Sequence, residues 1–169
     1  MLLIISDASV LIDIEHSKLT SAMFSLPYQF AVPDILYMEE LAKRHGTLLQ
    51  SGLINKRMNG ELIAEAYNLR QQYSKLSVND LLALTLAKSE KSQLLTGDRA
   101  LRDVANIFNI KVHGTIWLVE QMLEYKKISL EVARLALQRM RDSGSRLPWK
   151  EFEKFLDQYE KKYIEVETK

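Results

Sequence analysis

The chain has 169 residues, 47% of them hydrophobic, and a formal net charge of +1. That length suits one domain with a modest extension and a sizeable core, and the charge balance excludes a global basic field, so any nucleic acid would be held by a local patch or a metal. The absence of cysteine excludes disulfides and zinc–thiolate sites and fits a reducing cytoplasm, the expected location.

Leu2 to Ile5 is a continuous apolar run, the pattern of a strand buried on both faces. The opening "MLLIISDASVLID" lacks a basic stretch and breaks at Ser6 and Asp7, so it reads as a first strand and not a signal peptide. Val10, Leu11 and Ile14 place a short helix behind it. "FAVPD" is a short strand ended by Pro33, and a helix is expected from about Asp34 to His45, with Gly46 at its stop. Leu48 to Ile54 carries no clear period. Asn59 to Tyr73 is helical. In "SVNDLLALTLAKSE", Ser77 and Asp80 have capping-box spacing ahead of a strong helix. "SQLLTGD" is a strand and turn, followed by a helix to about Phe108. "IKVHG" is a short strand, and Ile116 to Tyr125 a helix.

Strands and helices alternate to about residue 125. That order implies an α/β fold, a three-layer α/β/α sandwich on a mainly parallel sheet. Residues 126–169 show only helical patterns, ending in a stripe of Trp149, Phe152, Phe155, Leu156 and Tyr159. We expect residues 1–125 to form the domain. Residues 126–169 should be a helical extension that packs on it or on a second copy in a homodimer, with a frayed end at 165–169. No apolar run approaches the roughly 18 residues of a membrane span, so no membrane association is expected.

In an open parallel sheet, ligands bind beyond the carboxyl ends of the strands. Acids gather at those points. Asp7 follows the first strand, Glu39 and Glu40 open the helix after "FAV", and Asp98 follows "QLLT". Asp80 opens a crossover helix that faces the same edge. Singly, each is explained as a helix cap or a favourable charge at a helix N-terminus. Together they would repel one another, so a cation is the natural partner, and carboxylate ligands suit Mg²⁺ or Mn²⁺. Ser9 and Thr96 are candidates to support the ligands or a metal-bound water; as ordinary turn hydroxyls they have no such part.

"ISDASVLID", "VPDILYMEEL", "SVNDLLALTLAK" and "LLTGDRALRDVA" resemble, in order and spacing, the four acidic motifs of PIN-domain ribonucleases. The resemblance spans roughly residues 1–125. It implies Mg²⁺- or Mn²⁺-dependent hydrolysis of RNA phosphodiesters, with Asp7, Glu39 or Glu40, Asp80 and Asp98 as the metal acids. Glu39, six residues past Pro33, fits the expected spacing, though both positions carry an acid. Asp103 falls on the helix surface. Many small members are toxins of toxin–antitoxin pairs, which would make an antitoxin protein a partner.

Such chemistry needs no side-chain nucleophile, and His16, His45 and His113 are scattered; His113 is expected at the surface or as a cap. Arg99 and Arg102 are candidates to bind the RNA backbone, with Lys43, Arg44, Lys56 and Arg57 as further flanking charges. Single-stranded RNA suits an acid-lined groove better than a stiff duplex. The alternative is a non-catalytic PIN-like module that binds nucleic acid or protein. A receiver domain or haloacid-type phosphatase would need more acids than the single Asp7 of "DASVL".

Overall fold

The computed structural model describes residues 1–167. Five strands form one wholly parallel sheet: β1 (Leu2–Ser6), β2 (Tyr28–Pro33), β3 (Ile54–Lys56), β4 (Gln93–Leu95) and β5 (Val112–His113), in the order β3-β2-β1-β4-β5. Ile5 of β1 sits in register with Ala31 on one side and Leu94 on the other, and all three are fully buried. The apolar runs are continuous because β1, β2 and β4 are covered on both faces.

The chain travels from β1 out to β3, then returns past β1 to β4 and β5. Its direction therefore reverses at β1, and the crevice between the carboxyl ends of β1 and β4 is the switch point where such sheets bind ligands. Right-handed crossovers put α1 (Ala8–His16) and α2 (Thr20–Phe24) on one face, and α5 (Gly60–Gln72), α6 (Val78–Ser89) and α7 (Arg99–Ile107) on the other. The observed helix contacts, α1 with α2 and α6 with both α5 and α7, follow that division. Leu81 to Ala87 of α6 are all buried, because the helix lies between the sheet and α5.

Three local features depart from the periodicity. The unpatterned stretch after Gly46 holds a short helix α4 (Thr47–Ser51) and the edge strand β3, which adds a fifth strand to the four expected. The helix after β2 is not regular to His45. It starts as α3 (Asp34–Leu36) and widens into a π-helical turn, Tyr37–Leu41, closed by Ala42 N–H to Tyr37 C=O at 2.8 Å. Gly46 is not a left-handed stop: its φ of −61° is ordinary helical backbone, at the start of α4.

Beyond β5 follow α8 (Thr115–Glu124), α9 (Leu130–Asp142) and α10 (Trp149–Glu167). α9 lies against α1 and α8, and α10 lies against α9. Phe152 and Leu156 of α10 are fully buried in the core. Exposed ion pairs, Arg134 to Asp157 and Glu160 and Arg141 to Glu153, also join the two helices. Such pairs contribute about 0–1 kcal/mol each, against about 1.5–3 kcal/mol for burying each large apolar side chain, so burial holds α10 in place. Residues 165–167 continue α10, and the remainder of the frayed end expected at 165–169 lies outside the described residues. No helix among the described residues is long and apolar enough to cross a membrane.

Candidate metal centre

Asp7 leaves β1 at the switch point and caps α1, where Oδ1 accepts from Val10 N–H at 3.0 Å. Its other oxygen, Oδ2, accepts from the Thr96 hydroxyl. Thr96 Oγ1 in turn accepts from Asp98 N–H at 3.0 Å. Asp98 caps α7 by accepting from Leu101 N–H at 2.9 Å. A continuous chain of hydrogen bonds therefore joins the first and fourth acidic motifs, with Thr96 between them. Asp80 forms the capping box of α6 with Ser77, as its spacing predicted.

The caps and the cluster are thus the same residues. Capping places each acid at a helix N-terminus, and the topology aims those N-termini at one edge of the sheet. Asp7, Asp80 and Asp98 line a single cleft of about 460 Å³, with Ser9 on its wall. Asp7 is only 5% exposed. Burial, chiefly, pushes its carboxyl up to about 6; the Thr96 and Val10 hydrogen bonds oppose the rise, and the charges of Asp80 and Glu40 add to it.

Glu39 and Glu40 sit on the π-helical turn, and both accept from Asn79 Nδ2, at 3.0 and 3.3 Å. Burial and the charge of Asp80 raise the Glu40 carboxyl. Glu40, and not Glu39, is among the charges that act on Asp7. Asn79 is a bridge that the motif reading missed, although it directly precedes Asp80.

The donor chemistry fits a hard divalent cation: the acids supply oxygen only, and neighbouring carboxylates add to the rise that burial gives Asp7 and Glu40. Asp80 and Asp98 each commit one oxygen to their cap. As the side chains stand, no group of three or more His, Cys, Asp or Glu among the described residues is placed to hold a metal ion. Asp7, Asp80 and Asp98 share the cleft without converging on one point, and Glu39 and Glu40 are not among the residues that line it.

Arg102 lies at the cleft margin, with Nη2 3.5 Å from the Thr96 carbonyl oxygen. Arg99 and Asp103 are exposed on α7. Lys56 is paired with Glu90. His113 is not a surface residue. It is buried, stacked on Trp117 with centroids 3.7 Å apart, and Nε2 meets Gln93 Oε1 at 2.7 Å. Burial, with Lys111 and Arg102 nearby, holds its pKa down near 4, so it is neutral at pH 7.

A family profile described as DUF3368, a PIN domain, matches residues 3–161, a span that takes in most of the C-terminal helices. No curated protein matches the chain. Among solved structures, the chain is similar to a PilT N-terminus domain protein, SSO1118, from the hyperthermophilic archaeon Sulfolobus solfataricus P2. The two share 14% identity over 73% of this chain and 95% of that one, with a TM-score of 0.48. PIN domains are generally of nuclease type. With 159 of its residues inside the family's span and acids at all four motif positions, the chain belongs to the PIN-domain family DUF3368.

Proposed function

We propose that this protein is a divalent-metal-dependent endoribonuclease that hydrolyses phosphodiester bonds of single-stranded RNA. The observation that carries the reading is the shared cleft of Asp7, Asp80 and Asp98 at the sheet's switch point, with Glu40 electrostatically tied to two of them. Asp7, Asp80 and Asp98, with Glu40 or the Glu39 that motif spacing favours, would hold Mg²⁺ or Mn²⁺; Asn79 holds both glutamates. When bound, such an ion lowers the pKa of a water and offsets the charge of the phosphodiester.

The chain's own residues set the stage. Thr96 fixes the Asp7 carboxylate through its hydroxyl and steadies the Asp98 backbone with the same oxygen. Asn79 holds the two glutamates of the π-helical turn beside Asp80. The buried, neutral His113 has no part in proton transfer. Arg102, and Arg99 further out, supply positive charge to a strand entering the cleft. The resemblance to toxin-type members extends the proposal to a toxin restrained by an antitoxin protein.

Purified protein should cleave unstructured RNA in Mn²⁺ or Mg²⁺ and stop when EDTA is added. Gel analysis of a mixed pool of RNA sequences checks this. Absence of cleavage across the pool in either metal would sink the enzyme reading and leave a non-catalytic binding module.

A further inference from the structure

The acid cleft opens into a second pocket of about 290 Å³, and the two share Gly97, Thr115, Arg146 and Leu147. Two arginines, Arg102 and Arg146, line the second pocket against a single acid, Glu151, and the first residues of α8, Thr115 to Trp117, form part of its wall. No side chain caps α8, so the N–H groups of its first turn are left for a ligand, and that end of the helix favours an anion.

Thr115 opens α8. It is only 3% exposed, and its hydroxyl is a buried side-chain polar atom without a hydrogen-bond partner among the described residues. A buried hydroxyl left unpaired is costly, and one that lines both pockets points to a ligand.

Arg146 arrives from the far end of the chain, and its placement is built. Gly144, with φ +83°, turns the chain after α9, and Ser145 N–H bonds back to Met140 C=O at 3.0 Å. The Ser145 hydroxyl then donates to Asp13 of α1. Leu147 packs against the core on the other side. Arg146, clamped between these two anchors, stands exposed at the mouth of both pockets and has no ion-pair or hydrogen-bond partner among the described residues. Arg102 is held too. A side chain at Gly114 would come within 3.3 Å of its guanidinium, so glycine leaves it room to lie against the start of α8.

We infer that this pocket is a phosphate subsite: Arg102, Arg146, the Thr115 hydroxyl and the first turn of α8 bind a backbone phosphate of single-stranded RNA next to the acid cleft. The inference rests on the proposed nuclease function and deepens it. The extension past α8 thereby supplies part of the substrate site. Guanidinium groups and helix N-termini are the usual holders of phosphate, and a phosphate here would place the neighbouring linkage over the acids.

The test is binding of a short fluorescein-labelled single-stranded RNA to the full chain in EDTA, read by anisotropy at several salt concentrations. Arg146→Gln should weaken binding roughly 10-fold and lower the salt slope by about 0.7, the release expected from one lost phosphate contact on a single strand. Thr115→Val, which keeps the shape, should weaken it several-fold. Lys150→Gln removes the same charge outside the pocket and should change affinity less than about 2-fold. Melting curves confirm that each variant is folded. A wild type that does not bind the strand, an Arg146→Gln variant that binds as the wild type does, or an equal loss in Lys150→Gln would overturn the subsite. The nuclease reading fails separately. Arg146-dependent binding without cleavage in Mn²⁺ would keep the subsite and remove the enzyme, and cleavage indifferent to Arg146 would do the reverse.

Discussion

In EDTA at pH 8, Asp7→Asn should melt above the wild type, while its RNA cleavage in Mn²⁺ falls by on the order of 1,000-fold. Both effects come from one buried carboxylate. A rise from 3.8 to about 6 means that ionising Asp7 in the folded protein costs roughly 3 kcal/mol more than in the unfolded chain. Asparagine can still accept from Val10 N–H as a cap, and it carries no charge to desolvate. A gain of about 1–3 kcal/mol is expected, since the Thr96 hydrogen bond is weaker to a neutral partner. Below pH 3.8 both states of the wild type hold the proton and the charge makes no difference. Between 3.8 and about 6 the folded state keeps a proton that the unfolded chain has lost, so wild-type stability falls as pH rises through that window. The gap between the proteins should open over those pH values and stay level above them. The loss of cleavage follows from removing a carboxylate that would hold the ion, a contribution of several kcal/mol to the reaction. An Asp7→Asn protein that melts below the wild type at pH 8 would show that the carboxylate is a net stabiliser, contrary to this reading.

Phe152→Ala should be the most damaging single change in α10, at about 3–5 kcal/mol, or a drop in melting temperature on the order of 10 °C. Phe152 is fully buried, and truncating it leaves a cavity that its rigid neighbours only partly fill. Lys154→Ala, on the exposed side of the same helix, should stay within about 0.5 kcal/mol of the wild type. If Phe152→Ala melted within a degree or two of the wild type, α10 would not be part of the cooperative fold.

Much of this molecule is legible from its sequence, and the illegible parts have physical reasons. The runs Leu2 to Ile5 and Gln93 to Leu95 declare themselves because strands covered on both faces must be apolar throughout. Ser77 and Asp80 state their capping box outright. Ile54 to Lys56 declares nothing: a three-residue edge strand, only half-buried, has no period to show. The π-helical turn is equally silent, since its extra residue per turn lies in hydrogen-bond register and not in composition. That turn carries Glu39 and Glu40, the acids of the second motif. Periodicity cannot bring Arg146 to the cleft that Asp98 lines either. That placement follows from a left-handed glycine and one serine hydroxyl, far along the chain.

The measurement that bears most directly on the proposed metal centre is the melting temperature of the wild type and Asp98→Asn, each in EDTA and in millimolar Mn²⁺. Asparagine preserves the cap on α7, so without metal the two proteins should melt within a few degrees of each other. The lost charge forfeits about 0.3–1 kcal/mol at the helix N-terminus and relieves repulsion among the acids. A cation that binds only the folded state stabilises it by about 2.7 kcal/mol at 100 times its dissociation constant. The account predicts a rise of several degrees for the wild type in Mn²⁺ and loss of most of that rise in Asp98→Asn. A wild type indifferent to Mn²⁺, or an undiminished rise in the variant, would contradict it and leave Asp98 as a helix cap.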